Sequence, residues 1–164
     1  MAGGAIAVAA VGVGWLLWPS PSGRTLPPAR ARVYTEFSAC LLSDSSGVSG
    51  KAAAPVWAGM QEASATTAGK VSFLAVAGPE SESNARLYLN ALVARRCDLI
   101  LAAGTAEVAA VRARAPALGS TTFVVVGTGS SAGNLTVLPV APPAGVSAAI
   151  RDVVVAASER TSPH

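Results

Sequence analysis

Polar residues that could bind a small molecule follow three of the apolar runs in this chain. A carboxylate and two hydroxyls come directly after Ser43, and a glycine followed by a threonine comes after both Ala103 and Val126. Such groups, with the backbone N–H groups that glycine exposes, hold a ligand by hydrogen bonds. The predicted ligand-binding residues are Asp44, Ser45, Ser46, Gly104, Thr105, Gly127 and Thr128.

The same residue types do not assemble a catalytic or metal site. The only histidine is His164, near the end of the chain, so neither a Ser/His or Cys/His pair nor a histidine-based metal site can form. Gly127, Gly129 and Ala132 match a G-x-G-x-x-A phosphate-binding pattern weakly, because the following residues read as a strand rather than a helix. We expect a hairpin-like connection there, no enzyme activity, no cofactor and no metal.

The elements that must position these residues alternate regularly. Continuously apolar runs at residues 37–43, 70–77, 98–103, 121–127 and 135–140 are typical of parallel strands that are covered on both faces. Helical patterns separate most of them: one begins near Pro55, one covers residues 83–96, one has Thr105 as its predicted N-cap, and a last one follows PPAG. The pattern predicts an α/β lobe with a single doubly wound parallel sheet, whose ligands bind at the carboxyl ends of the strands.

The N-terminal residues predict a membrane anchor. Residues 1–18 carry no charged side chain, and as a helix they would extend about 27 Å, just short of a ~30 Å hydrocarbon core. Trp15 and Trp18 suit the membrane interface, and no convincing cleavage site follows them. We therefore predict an anchor or uncleaved signal at residues 1–18, with a cleaved signal and a buried helix as alternatives. A linker at 19–33, a lobe at 34–158 and a polar tail at 159–164 complete the predicted organisation.

The charge distribution excludes one class of partner and leaves the orientation open. The net charge is +3, but from Glu36 onward nine Lys and Arg residues balance nine Asp and Glu residues, so the basic surface of a nucleic-acid binder is missing. Three arginines follow the apolar segment, and counting positive charges would place the lobe in the cytoplasm. A start codon assigned too far downstream would remove a basic segment and reverse that count. We expect an extracytoplasmic lobe, with the cytoplasmic orientation as the alternative.

The two cysteines bear on the compartment. Cys40 and Cys97 open the first and third apolar runs, which are neighbours in a sheet with the strand order 2-1-3. A disulfide bond between them would indicate an oxidising compartment and would contribute roughly 4 kcal/mol by restricting the unfolded chain. Two buried free thiols, which behave as small apolar groups, remain the alternative.

The strand-to-helix segments also resemble a known family. LLSDSSGVSGKAAAPVWAGMQEA carries Asp44, Gly47, Lys51, Trp57 and Gly59 in the family's order, while CDLILAAGTAEVAAV and TTFVVVG resemble its third strand with the following helix and its fourth strand. Across residues 38–150 the chain resembles the N-terminal lobe of the basic membrane protein family of ABC-transporter substrate-binding proteins. The resemblance implies a type I periplasmic-binding fold with the strand order 2-1-3-4-5, attached to the membrane outside the cytoplasm and binding nucleosides for import.

This sequence differs from the family at positions where the family contacts its ligand. Where the family stacks a base on Phe and bonds it with Asn, this chain has Ala52, Ala53 and Ala54, and Gly127 stands where an aspartate is common. The sequence also corresponds to one lobe of a two-lobed clamp, so we expect an open half-site with weak affinity for a nucleoside-like molecule. Two functions follow: a membrane-anchored, extracytoplasmic solute-binding or sensing module, or a non-enzymatic scaffold that binds a protein partner, a second lobe or another copy of itself.

Overall fold

Five strands alternate with four α-helices in the computed structural model, which describes residues 33–161. The predicted anchor at residues 1–18 lies outside the described residues, as do most of the linker and the last three residues of the tail. Short 3-10 turns occur at Gly47–Ser49 and Ala115–Ala117. The elements in chain order are β1 Ser38–Ser43, α1 Ala53–Thr67, β2 Lys70–Ala75, α2 Glu82–Ala94, β3 Leu99–Ala103, α3 Thr105–Arg114, β4 Thr122–Val126, β5 Leu135–Leu138 and α4 Pro143–Thr161.

The strands form one parallel sheet in the order β2-β1-β3-β4-β5, which confirms the predicted topology. Leu41 in the central strand β1 pairs with Phe73 of β2 and Leu101 of β3. The central strands β1 and β3 are almost entirely buried, because helices cover both faces of the sheet. That double covering explains why these strands read as continuous apolar runs rather than as alternating ones.

Each face of the sheet has its own apolar core. Helices α1 and α4 cover one face, and helices α2 and α3 cover the other. Alternate residues of a strand point to opposite faces, so Leu41 and Leu42 belong to different cores. The first core includes Leu41, Met60, Leu101, Val124 and Ile150, and the second includes Leu42, Leu89, Ile100, Val111 and Phe123.

The tight contact of α1 with α4 explains why residue 59, in the segment that resembles the basic membrane protein family, is a glycine. A Cβ atom on Gly59 would overlap the carbonyl oxygen of Ser147 and would lie 2.9 Å from Cβ of Ile150. Nearby, the ring of Trp57 packs edge-on against Phe73, with the ring centroids 5.5 Å apart. The Trp-x-Gly pattern in this chain therefore serves packing of α1 against its neighbours.

Two predictions about turns were wrong, and one predicted boundary differs. Gly104, not Thr105, is the N-cap of α3, and Thr105 is the first helical residue, because β3 passes into the helix through a glycine with φ of +123°. The connection over residues 127–134 is not a hairpin, since β4 and β5 run parallel. Asn134 anchors this connection, because its side-chain amide donates two hydrogen bonds, each 2.8 Å, to the carbonyls of Leu118 and Thr121. Three residues of the predicted polar tail, 159–161, belong to α4.

The structure joins Cys40 and Cys97 by a disulfide bond, with their Cα atoms 6.0 Å apart. Both residues are buried and belong to the core under α2 and α3. The bond links β1 to the segment that leads into β3, the two strands that pair at the centre of the sheet. None of the helices within residues 33–161 is long and apolar enough to cross a membrane.

Candidate functional site

A cleft of about 680 Å³ opens at the carboxyl edge of the sheet, where β1 and β3 diverge into their following loops. The strand order reverses at this point, since β2 lies on one side of β1 while β3, β4 and β5 lie on the other. Parallel sheets bind their ligands at such reversals because the loops separate there and leave a crevice. The charged residues that line the cleft are Asp44, Lys51, Glu80 and Glu107.

The structure brings most of the predicted residues to this edge. Asp44, Ser46, Gly104 and Thr105 line the cleft itself. Two others, Gly127 and Thr128, line an adjoining groove of about 560 Å³, which shares Gly104 and Thr105 with the cleft. Ser45 is exposed and lines neither cavity. Asp44 and Thr105 therefore face the same cavity, as the predicted sheet topology requires.

The loop after β1 holds Asp44 at the cleft by local hydrogen bonds. Oδ1 of Asp44 accepts from the backbone N–H of Ser46 at 2.8 Å, and the carbonyl of Asp44 accepts from the N–H of Gly47 at 3.0 Å. Gly47 has φ of +63°, a conformation that glycine adopts without strain. The turn thus directs the aspartate toward the cavity and returns the chain toward α1.

Small side chains at the start of α1 leave one wall of the cleft open. Ala52 lines the cleft and is exposed, Ala53 is buried in the core, and Ala54 is exposed outside the cleft. No aromatic side chain lines this cleft among the residues that the structure describes. A base therefore finds no stacking partner here, in keeping with the expectation of weak nucleoside binding drawn from the three alanines.

Glu107, in the first turn of α3, is a residue of the cleft that sequence reasoning missed, as is Glu80. Glu107 lines the cleft but is only 1% exposed, and its Oε1 has no hydrogen-bond partner within residues 33–161. Burial raises the pKa of the Glu107 carboxyl; a hydrogen bond from its own backbone N–H opposes this, and the negative charges of Asp44 and Glu80 add to the rise. The available signal was its place in the first turn of the predicted helix, where Asp and Glu are favoured.

Gly104 makes room for this carboxylate. A Cβ atom on Gly104 would overlap Oε2 of Glu107 and would lie 3.7 Å from Cβ of Asp44. The glycine thus lies between the two acidic side chains and allows the Glu107 carboxylate to fold back over the helix start. A negatively charged side chain is favoured in the first turn of α3, because the N-terminus of a helix carries partial positive charge.

The buried carboxylate should make stability depend on pH. Because the pKa of Glu107 is raised from 4.5 in the folded protein, the folded state holds this proton over a pH range where the unfolded state has lost it. The free energy of unfolding therefore falls as the pH rises from about 4.5 through the folded pKa. We expect Glu107→Gln to remove that fall and to stabilise the protein by roughly 1 kcal/mol at neutral pH, measured by urea unfolding across this range.

The exposed Glu159 supplies the control for this prediction. Glu159→Gln removes a carboxylate from the far end of α4 and should leave the shape of the pH–stability curve as it is in the unaltered protein. Parallel curves for Glu107→Gln and the unaltered protein would contradict the assignment of a desolvated carboxylate to Glu107.

The solved structures that are similar to this chain include a lipoprotein and a solute-binding protein. A putative lipoprotein from Peptoclostridium difficile 630, solved as a fragment, matches 77% of this chain and 100% of its own with 12% identity and a TM-score of 0.60. An ABC transporter system solute-binding protein from Aeropyrum pernix K1 matches 62% of this chain with 19% identity and a TM-score of 0.50; the match spans 28% of that protein. No family model matches the sequence, and no curated protein matches it either.

These similarities show a shared fold. The parallel α/β sheet of this chain is one that solute-binding proteins also use, and the lipoprotein fragment has this fold over its whole length. The narrower resemblance to the basic membrane protein family stays a prediction. Fold alone does not establish a ligand, so function must be argued from the cleft.

Proposed function

We propose that residues 33–161 form a solute-binding or sensing lobe that holds a small molecule in the cleft between β1 and β3, without catalysis. One observation carries this proposal: Glu107 is a buried residue of the cleft wall, and its Oε1 has no hydrogen-bond partner within the described residues. Buried polar atoms are normally paired, and an unpaired one at the wall of a cavity is suited to a ligand. The volume of about 680 Å³ fits a small organic molecule.

The proposed location is the outer side of a cell membrane. Support comes from the fold shared with a lipoprotein and with a solute-binding protein, from the apolar residues 1–18 as a candidate anchor, and from the Cys40–Cys97 bond. Disulfide bonds persist in oxidising compartments and are rare in the cytosol. The transporter and any second lobe are accordingly the proposed partners, and nucleic acid is not.

A ligand screen tests the proposed function. Calorimetry and thermal shift on the full chain with nucleosides, amino acids, sugars and small amines should find at least one class that binds tighter than millimolar. We expect nucleosides to bind weakly, since the missing aromatic contact alone is worth about 0.5–1.5 kcal/mol. If no compound of the four classes binds, the proposal is contradicted.

Two matched variants locate the bound molecule. Ala52→Trp should fill the cleft and abolish binding, because Ala52 is an exposed residue of the cleft wall. Ala54→Trp adds the same side chain two residues along α1, at an exposed position that does not line the cleft, and should leave the affinity unchanged. Equal loss in both variants would place the ligand elsewhere.

A scaffold role is the second candidate, favoured by the apolar rim of the cleft. Val140 is 72% exposed, and the neighbouring Ala141 and Pro143 also line the cavity. Exposed apolar groups around a cavity are suited to contact with a protein surface. If the ligand screen is silent, cross-linking at Val140→Cys that captures a second copy or a second lobe would support this role.

The location is tested with a fused reporter. A C-terminal enzyme that is active only outside the cytoplasm should be active on the full chain and inactive when residues 1–18 are deleted. Activity of a cytoplasm-specific reporter on the full chain would support the opposite orientation instead, which the arginines at 24, 30 and 32 favour.

A further inference from the structure

The wall of the cleft contains a carboxylate that no cation of the described chain neutralises. Within residues 33–161 the ion pairs are those of Arg151 with Glu62 and with Asp152, on the surface of α1 and α4. Glu107 is only 1% exposed, its Oε1 has no hydrogen-bond partner there, and its Oε2 lies above Gly104. A buried charge without a partner is unfavourable, so a ligand that supplies the missing partner gains that energy on binding.

The surroundings of Glu107 favour a positive ligand. Asp44 and Glu80 line the same cleft, and Lys51 is the only basic side chain that the described residues contribute to it. Carboxylates therefore outnumber ammonium groups three to one around the cavity. A cleft lined mainly by one sign of charge concentrates molecules of the opposite sign.

A metal ion fits this site less well than an organic cation. Within residues 33–161 no three potential ligating side chains are grouped so that they could hold a metal. Much of the remaining lining is apolar and comes from Pro55, Val126, Val140, Pro143 and Val146. The cleft thus combines acidic and apolar lining residues, which suits a molecule with a charged head and an apolar body.

We propose that the cleft binds a small organic cation whose head is an ammonium or amidinium group and donates a hydrogen bond to the carboxylate of Glu107. This inference rests on the proposed function and names its ligand class. Asp44 and Glu80 add long-range attraction, and the apolar residues near Val140 and Val146 contact the body of the ligand. Lys51 at the rim disfavours multiply charged cations and would accommodate a carboxylate elsewhere on the molecule.

Matched probes test the charge requirement. Calorimetry on the full chain at neutral pH compares benzamidine with benzamide and benzoate, which have nearly the same shape but are cationic, neutral and anionic. We expect benzamidine to bind at least about tenfold more tightly than benzamide, the difference expected for one charge-assisted hydrogen bond. Benzoate should bind more weakly than both.

Variants assign the effect to Glu107. Glu107→Gln keeps the shape of the side chain and should weaken benzamidine binding about tenfold while leaving benzamide binding within about twofold. Glu159→Gln removes a remote carboxylate and should change neither affinity. If Glu107→Gln fails to fold, Asp44→Asn serves in its place: it keeps the oxygen that caps Ser46, and it should weaken benzamidine binding without changing benzamide binding.

The outcomes separate this inference from the proposed function. Equal or tighter binding of benzamide or benzoate, lost in Ala52→Trp, would overturn the cation preference and leave a solute-binding cleft in place. Absence of binding by all three probes would also overturn the cation preference, while the wider ligand screen would decide whether the cleft binds any solute. Benzamidine binding that survives Ala52→Trp would overturn the assignment to this cleft.

Discussion

Replacing both Cys40 and Cys97 by alanine should lower the free energy of unfolding by about 4 kcal/mol. The two residues are 57 positions apart, so their bond removes a large amount of conformational freedom from the unfolded chain. Both side chains are buried in the core under α2 and α3, and alanine retains the apolar character of that position. Chemical unfolding of the oxidised protein and of the double variant measures the difference directly.

Reduction of the unaltered protein provides the control. A thiol reductant should destabilise the unaltered protein by a similar amount and should leave the double variant unchanged. Because the bond links β1 to the segment that leads into β3, and both strands end at the cleft, the reduced protein should also bind its cleft ligand more weakly. A reductant effect on the double variant, or none on the unaltered protein, would contradict a native Cys40–Cys97 bond.

Gly104→Ala should destabilise the protein by about 3 kcal/mol and should also abolish ligand binding. The residue has φ of +123°, a conformation that residues with a Cβ rarely adopt. The added methyl group would also overlap Oε2 of Glu107, so either the backbone or the carboxylate must move. Urea unfolding measures the stability, and calorimetry measures the loss of benzamidine binding.

Two other glycines separate the causes of that effect. Gly119 lies in open space without a positive φ, so Gly119→Ala should be nearly neutral. Gly133 has φ of +58° with nothing near its missing Cβ, so Gly133→Ala should show the backbone strain alone, about 1 kcal/mol. If Gly104→Ala is no worse than Gly133→Ala, the carboxylate is not held where the structure places it.

The elements of the fold could be predicted because they depend on local periodicity. Continuous apolar runs at β1 and β3 indicated strands buried on both faces, and the alternation with helices indicated a parallel sheet. Errors arose where the chain turns. The passage from β3 into α3 depends on the conformation of Gly104, and the connection from β4 to β5 depends on Asn134 bonding to Leu118 and Thr121.

The candidate site was predicted in outline for the same reason. Once the strands are parallel, the residues that follow them must meet at one edge, and Asp44, Gly104 and Thr105 do so. The position of Ser45 could not be read in advance, because a single residue of a turn can point toward the cleft or away from it. Glu107 was missed because a Glu on a helix is ordinarily solvated, and only its surroundings reveal its burial.

By itself, the sequence determined the α/β class and the edge of the sheet at which a ligand could bind, because apolar periodicity and turn residues act over short distances. The strand order was implied only by the family resemblance, since the pairing of strands joins distant parts of the chain. Only the tertiary structure decided which residues of that edge face a common cavity, that Gly59 lets α1 approach α4, and that Glu107 is buried without a partner. Burial and pairing depend on groups brought together from distant parts of the chain, so no local pattern could specify them.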